Sequence, residues 1–395
     1  MFATTCRRFL MLLLSTAFLG ACGDEARSTD AADAADAAGD EGPDASDGAE
    51  AIAPGVFRVV FFDVGTGDAT LVQSPSGRTL LVDLGIPQVV DPGHEADAAR
   101  HVVERIEALT GVRRVDYFLA SHYHTDHVGN FRTDGSPIGG IGFAVESLGL
   151  EVGTFLDRGR TPQGDSPTQA EYLRWVETKP NRRVIDAPGA GWADLGDGVV
   201  VDVLATAGAG LVPAGGGENG LSLPVRVTFG DLEISLAGDL TGDCNDTIVD
   251  VETAVAPLMG AVEVYKVDHH GSQTGSNRTW IRTVRPMVSV FPLGENRFGY
   301  PHERTVADLG VVGALRYTRD GDVTVESADG ASFAVNGMTS ATRSDAEESA
   351  LPDVPLGPDE KTNDLCGNHV DDDGDGYTDC DDWSCSRCPA VTACG

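Results

Sequence analysis

Short apolar blocks alternate with polar ones along most of this chain, and their period changes from segment to segment. Phe57-Arg58-Val59-Val60-Phe61-Phe62 predicts a strand, and residues 70–73 and 79–82 predict two more, joined by the turn sequence Ser74-Pro75-Ser76-Gly77. Residues 94–109 then shift to a helical period, with Val102, Val103, Ile106 and Leu109 on one face and Gly111 as the stop. The run Val115-Asp116-Tyr117-Phe118-Leu119-Ala120 predicts a buried strand. Residues 131–163 are Gly-rich and poorly periodic, and read as a long insertion that shapes a cleft. A helix over 168–178 follows, then short strands near Val184-Ile185 and over 199–204.

The second half repeats this arrangement. Residues 223–229 and 233–237 pair as a hairpin, a helix spans about 245–258, and a strand covers 262–267. Helix 277–284, strand 287–291 and a helix from His302 come next, and strands 315–318, 322–326 and 332–336 close the unit, with Asp320-Gly321 as a turn. Strands alternating with helices in two halves give an α/β layered domain over residues 55–340.

The flanks differ in composition. The chain carries 28 basic and 62 acidic residues, a formal net charge of −34. Residues 56–340 hold 22 of the basic and 38 of the acidic ones, so the shorter flanks are disproportionately negative. Such acidity favours solubility and opposes steering of polyanions, yet leaves room for a metal-centred cleft. Arg7-Arg8, an apolar run from Phe9 to Leu19 and Gly20-Ala21-Cys22 have the layout of a secretory signal over residues 1–21. Leu19-Gly20-Ala21-Cys22 resembles a bacterial lipobox, which makes Cys22 the expected lipid attachment point on an exported envelope protein. The alternative is ordinary cleavage near Ala21. Residues 22–54, built on repeated Ala-Ala-Asp, lack the large apolar side chains that would order them and read as a tether. No other stretch is apolar enough to span a membrane, so the only membrane contact expected is the lipid, with no channel in this chain.

The chemistry concentrates in Ser121-His122-Tyr123-His124-Thr125-Asp126-His127. Three imidazoles and a carboxylate this close are costly to crowd together unless a cation sits among them. Neutral His and ionised Asp are the nitrogen and oxygen ligands that divalent transition metals take. Placed just after a buried strand, the spacing suits two neighbouring metals rather than one closed tetrahedral site. A His-rich surface loop is the bland alternative, and the strand before it argues against that.

This motif resembles the signature of the metallo-β-lactamase superfamily. Phe61-Phe62-Asp63-Val64-Gly65-Thr66-Gly67-Asp68-Ala69, Leu80-Leu81-Val82-Asp83-Leu84-Gly85, Leu236-Ala237-Gly238-Asp239 and Lys266-Val267-Asp268-His269-His270-Gly271-Ser272 resemble, in order, segments of the ComEC-like hydrolase domain. The resemblance implies an αββα sandwich and two divalent metals, zinc or manganese. It assigns His122 and His124 to one metal, Asp126 and His127 to the other, Asp239 as the bridge, and one histidine of His269-His270, with His269 preferred, to the second site. Asp83 is implied as an outer carboxylate orienting a ligand histidine, with Asp63 and Asp68 beside it. Most relatives carry a further metal histidine before the bridging aspartate. Here no histidine lies between His127 and His269, and Glu218-Asn219-Gly220-Leu221-Ser222-Leu223 occupies the interval. The first metal is then expected to be weak, exchangeable or absent, and an oxygen-rich site favours manganese.

Catalysis is expected at Asp126 and at His302 as general acid, with Asn219, Ser222, Lys266, Ser272 and Thr274 meeting a phosphate. The last groups read equally well as loop solvation, and Lys266 as a snorkelling strand residue.

Residues 341–362, with Pro352, Pro355 and Pro358, read as an acidic linker. The tail, 363–395, holds Cys366, Cys380, Cys385, Cys388 and Cys394. Counting from Asp371, acids recur at Asp373, Asp375, Asp379 and Asp382, with Gly376 at the turn position and Tyr377 next, which is the spacing of a calcium loop. Exported cysteines usually pair, and five leave one over: free, joined to Cys244, or bridging two chains.

The reading that results is an exported metal-dependent hydrolase acting on phosphodiesters, DNA or smaller ones. Against DNA stand the acidic core and the lack of a basic, aromatic strip. A β-lactamase fits these motifs poorly. A surface-anchored, calcium-binding interaction protein with a decayed hydrolase fold is the alternative from another class.

Overall fold

The computed structural model describes residues 55–132, 134–161, 167–206, 217–244, 248–359, 361–373, 377–382, 385–386, 388 and 391–394. The signal, the lipobox with Cys22 and the tether all lie outside the described residues.

The chain first lays down strands β1 (Phe57–Phe61), β2 (Thr70–Gln73) and β3 (Thr79–Val82), then helix α1 (Asp97–Thr110) and strand β4 (Arg114–Leu119). After the short helices α2 (Thr125–Val128) and α3 (Gly140–Glu146) come strand β5 (Glu151–Asp157), helix α4 (Pro167–Val176) and strand β6 (Arg182–Val184). A second sheet is built from β7 (Gly189–Ala190), β8 (Val200–Val203), β9 (Val225–Phe229), β10 (Leu232–Leu236), β11 (Val264–Lys266), β12 (Val288–Phe291) and β13 (Ala314–Tyr317). Helices α5 (Glu252–Met259), α6 (Arg278–Val284) and α7 (Glu303–Val312) connect its parallel strands. The chain then returns to the first sheet as β14 (Val323–Ser327), β15 (Ser332–Val335) and β16 (Met338–Ala341), followed by helix α8 (Asp345–Ser349).

The first sheet runs β16-β15-β14-β1-β2-β3-β4-β5-β6 and the second β13-β12-β11-β10-β9-β8-β7. Period-two alternation explains how they stack. On β1, Phe57, Val59 and Phe61 enter the core shared with Val201, Val203, Val225, Val227 and Ile234 of the second sheet. Val60 and Phe62 point the other way, against Val102, Val103 and Ile106 of α1. On the far side of the second sheet, Val255 of α5, Trp280 of α6 and Leu309 of α7 pack with Tyr265 and Phe291. The layers are therefore α, β, β, α, as expected.

Three expectations change. Residues 131–163 are no structureless insertion: they contain α3 and the strand β5, which pairs in parallel with β4. The Gly-rich sequence hid a crossover whose strand is only partly buried, at its second half. Asp320-Gly321 does lie in a turn, with the Gly321 N–H donating to the Thr318 carbonyl (2.9 Å), but that turn closes no hairpin. Thr318–Asp320 forms a 3-10 turn that carries the chain from β13, parallel to β12, across to β14, antiparallel to β1. The helix expected from 245 begins at Glu252, and residues 245–247 lie outside the described set.

Residues 341–362 pack on the domain. The Asp359 carboxylate accepts N–H bonds from Arg278 (3.0 Å) and Thr279 (3.3 Å) at the start of α6. Arg282 donates to the carbonyls of Leu356 and Gly357, and Lys361 to that of Gly242. The tail is joined by Cys366–Cys385, Cys380–Cys394 and Cys244–Cys388, so the odd tail cysteine pairs with the domain's Cys244. Of the calcium-loop positions, Asp373 and Asp382 are buried, and Asp371 is half-buried. Tyr377 is exposed, and Asp375 lies outside the described residues. The Asp379 carboxylate accepts the His369 N–H (3.0 Å).

Among the described residues no helix is long and apolar enough to cross a membrane.

Candidate metal centre

Parallel pairing decides where the polar residues meet. β3 runs parallel to β4 and β10 parallel to β11, so the residues that follow each strand emerge on the same edge. Asp83 follows β3, the His122–His127 segment follows β4, Asp239 follows β10 and the His269-His270 doublet follows β11. The carboxyl ends of parallel strands are where α/β sheets commonly place sites.

The turns allow very close approach. A Cβ on Gly85 would lie 1.9 Å from the backbone of Asp126, so only glycine lets the β3 loop rest against the metal loop. Gly238 holds φ +60°, and a Cβ there would come within 2.6 Å of Ser121 Oγ. Asp83 (φ 59°), His269 (φ 49°) and His270 (φ 54°) are non-glycine residues in the left-handed region. Each such residue costs about 1–3 kcal/mol and tends to mark a functional site.

Two ligand groups converge on Asp239. Asp126, His127, Asp239 and His270 each offer one ligand atom within 4.8 Å of the others, and so do His122, His124 and Asp239. His127 Nε2 lies 3.1 Å from Asp239 Oδ1, and His270 Nε2 lies 3.2 Å from Asp126 Oδ2. His122 Nε2 is 3.1 Å from His124 Nδ1 and 3.9 Å from Asp239 Oδ2. His127 Nε2, His270 Nε2 and Asp239 Oδ1 are buried yet make no well-aligned hydrogen bond. Buried polar atoms are rarely left this way, and a cation among them would satisfy all three. The residues present therefore fit the implied metals.

The outer contacts are specific. Asp83 Oδ1 accepts the Ser121 N–H (2.7 Å) and its Oδ2 accepts the Ser121 hydroxyl (2.6 Å) and lies 2.9 Å from His127 Nδ1. Gln88 Nε2 donates to Asp126 Oδ2 (2.8 Å). Tyr123, between the two first-site histidines, donates its N–H to Glu218 (2.7 Å), which the buried Arg158 holds through Nη2 while stacking 4.0 Å over the Tyr123 ring.

Electrostatics follow from burial. Burial penalises charge on His127, yet the carboxylates of Asp239, Asp68 and Asp83 raise its pKa well above the ordinary imidazole value. Burial lowers His122 well below that value and pushes His269 down to about 4, so both are neutral, as metal ligands must be. Burial likewise pushes Asp268 up to about 8.

Several expected residues do something else. Of the doublet it is His270, not His269, that joins Asp126 and His127. His269 Nε2 instead lies 3.8 Å from Asp239 Oδ2, 3.2 Å from Asn219 Nδ2 and 3.4 Å from the Tyr300 hydroxyl. Lys266 is 3% exposed and turned inward: its Nζ donates to the Gly238 carbonyl (2.6 Å) and lies 2.5 Å from Asp68 Oδ2. A buried ammonium needs these partners more than a substrate does. Ser222 accepts the Asp239 N–H (3.2 Å) and so holds the residue common to both groups. Asp68 lies 3.4 Å from His127 Nδ1, as an outer carboxylate should, but Asp63 accepts the N–H of Gly65 in its own turn and meets no ligand histidine. Thr274 Oγ1 lies 2.9 Å from His269 Nδ1 and 3.1 Å from Ser272 Oγ. His302 stands at the N-cap of α7, where its backbone N–H donates to the Gly271 carbonyl (2.7 Å) and its ring makes no capping bond.

Gln88, Glu218, Arg158 and Tyr300 carry site contacts that the sequence did not announce. Tyr300 stood in the Gly299-Tyr300-Pro301-His302 segment, where His302 drew the attention, and its ring stacks on His270 at 6.4 Å. The others lie in loops whose spacing holds no signal.

No family model matches the chain. Among curated proteins it is similar to "Competence protein ComA" of Neisseria gonorrhoeae, 28% identical over 258 residues, which is 64% of this chain and 30% of that protein. It is also similar to "ComE operon protein 3" of Bacillus subtilis, 23% identical over 257 residues, 63% of this chain and again 30% of the relative. The match thus spans under a third of either relative's length. Among solved structures, a diphosphatase from the PhnP family superposes with a TM-score of 0.38 at 13% identity, covering 69% of this chain and 98% of that one.

Proposed function

We propose that this chain, whose central domain is a ComEC-like domain of the metallo-β-lactamase superfamily with the metal-dependent hydrolase fold, hydrolyses phosphodiesters. The observation that carries the reading is the convergence of two ligand groups on the single carboxylate of Asp239. When bound, two divalent cations supply an activated water and charge stabilisation for the oxygen that becomes anionic during attack on phosphorus.

The chain's own residues set up that chemistry. Asp83 fixes His127 through Nδ1, leaving Nε2 for a cation, and the Pro292 carbonyl, 3.0 Å from His270 Nδ1, does the same for His270. Gln88 orients the Asp126 carboxylate. Lys266 and Ser222 hold Gly238 and Asp239 from beneath, so the bridging carboxylate keeps one position as charge develops above it. Tyr300, half-buried with its hydroxyl beside His269, is placed to donate a hydrogen bond to a phosphate oxygen, and His302 follows at the head of α7 as a proton donor to the leaving alcohol. The domain's excess of acidic over basic residues, 38 against 22, favours small phosphodiesters over long nucleic-acid strands.

Three disulfides support an exported protein, and Cys22 is its proposed lipid anchor. The Asp371–Asp382 segment is proposed to take calcium as a stabiliser of the tail.

The test is elemental analysis of protein purified without chelator, together with turnover of bis-p-nitrophenyl phosphate and linear DNA under added manganese or zinc. Close to two transition metals per chain, with turnover lost in Asp126→Ala, is expected. No transition metal and no turnover with any added ion overturns the hydrolase reading in favour of a tethered calcium-binding protein.

A further inference from the structure

The first ligand group is one imidazole short, with His122, His124 and Asp239 and no histidine between His127 and His269. The wiring of the histidines around Asp239 shows where the missing nitrogen comes from. His127 has Nδ1 fixed by Asp83 (2.9 Å) and Nε2 3.1 Å from Asp239 Oδ1. His270 has Nδ1 fixed by the Pro292 carbonyl (3.0 Å) and Nε2 3.6 Å from Asp239 Oδ2. His122 has Nδ1 3.2 Å from Ser121 Oγ and Nε2 3.9 Å from Asp239 Oδ2. His269 repeats the pattern: Nδ1 is 2.9 Å from Thr274 Oγ1 and Nε2 is 3.8 Å from Asp239 Oδ2. An outer oxygen on Nδ1 with Nε2 aimed at the shared carboxylate is the arrangement of a ligating histidine, because it fixes the tautomer and the ring.

We infer that the doublet is divided between the two metals, His270 completing the group of Asp126 and His127 while His269 supplies the third imidazole to the cation held by His122 and His124. The backbone explains how neighbours in sequence can do this. Two successive left-handed residues, His269 at φ 49°, ψ 42° and His270 at φ 54°, ψ 20°, turn their side chains apart, and the ring centroids stand 6.3 Å from each other. A strand would have sent the two side chains to opposite faces of the sheet, whereas here both Nε2 atoms lie within 4 Å of Asp239 Oδ2. Asn219 Nδ2 lies 3.2 Å from His269 Nε2, so this lone pair already faces a polar partner and its amide must turn aside for a cation there. Left-handed strain at both residues is the structural cost of the division.

This rests on the binuclear hydrolase reading, and the experiment separates the two. Cobalt uptake by the full chain is measured by equilibrium dialysis in wild type, His269→Ala, His270→Ala and the double variant His122→Ala/His269→Ala, with circular dichroism confirming the fold. Two cobalt ions in wild type, one in each single variant and one still in the double variant are expected, since His122 and His269 then serve the same ion. Two ions in His269→Ala, or none in the double variant, overturns the division while leaving the hydrolase reading intact. No ion in wild type overturns both. Thr274→Val, which removes only the Nδ1 partner, is expected to weaken one of the two cobalt sites about 10-fold or more. Should any alanine variant fail to fold, an anomalous-difference map of cobalt-loaded wild type decides: an ion bonded to His269 Nε2 supports the inference, and one bonded only to His122 and His124 overturns it.

Discussion

Asp83 Oδ2 lies 2.9 Å from His127 Nδ1, and the same carboxylate takes both the N–H and the hydroxyl of Ser121, so one side chain ties the end of β3 to both ends of the metal loop. Asp83→Ala removes the group that fixes the His127 ring and leaves the Ser121 N–H buried without its acceptor. Metal affinity is expected to fall about 10- to 100-fold, read by competition with a coloured chelator. Unchanged affinity would mean that packing alone orients His127.

Gly85 is a steric requirement. An added Cβ would stand 1.9 Å from Asp126 carbonyl atoms and 2.5 Å from His127 N. Because both neighbours are backbone, the metal loop must move as a unit. Gly85→Ala is expected to lower stability by about 1–3 kcal/mol and to lose metal together with activity, as seen by thermal unfolding and elemental analysis.

The buried pair Lys266–Asp68 predicts a sharper loss. Removing the ammonium takes away the nearest cation to Asp68, 3% exposed, and leaves it 3.4 Å from the imidazole of His127. Lys266→Met is expected to destabilise the protein by about 3 kcal/mol in urea unfolding. Recovery of stability in Lys266→Met/Asp68→Leu would confirm that the uncompensated charge is the cause, whereas equal destabilisation of both variants would point to lost packing.

A pH dependence is expected far from the metals. His101 of α1 lies 2.9 Å from Asp322 Oδ1 ahead of β14, and that bond raises the His101 pKa above its ordinary 6.5. Asp322, despite burial, is lowered below 3.8 by His101. A raised histidine stabilises fully below its unfolded value and loses that contribution as pH climbs through the folded value. A lowered carboxylate stabilises above 3.8 and loses it as pH falls. The pair therefore contributes most between about pH 4 and 6.5. Because the His101 side chain is 39% exposed, screening limits the contribution to about 0.5 kcal/mol. His101→Gln should flatten the stability profile above about pH 6.5, where the raised histidine loses its contribution, and an unchanged slope there would reject this origin.

Much of the fold was legible because its signals are local. The apolar run in Phe57-Arg58-Val59-Val60-Phe61, buried along its whole length, and the apolar face Val102, Val103, Ile106 and Leu109 each report their own burial. The candidate ligands were legible because metal chemistry confines His and Asp to a few spacings. Pairing was not. Nothing in Thr318–Asp320 announces a change of sheet, since that depends on β12 and β1 lying elsewhere in the chain. The inward turn of Lys266 was equally hidden, because its partner Asp68 is supplied by another strand's loop. The choice between His269 and His270 turned on two positive φ angles, and non-glycine residues do not advertise those.

The pairing of β1 with β14, Phe57 opposite Ser327, sets the order in which this protein can come into being. During synthesis the earliest strand of the domain waits with one edge bare until residues 323–327 have emerged, by which time every side chain of the candidate His/Asp centre has already been made. A message cut short after Gly271 but before Val323 would encode that whole His/Asp set and still yield no stable sheet, because the open edge of β1 invites pairing with another chain. Such truncated products are candidates for aggregation and proteolysis rather than for partial activity.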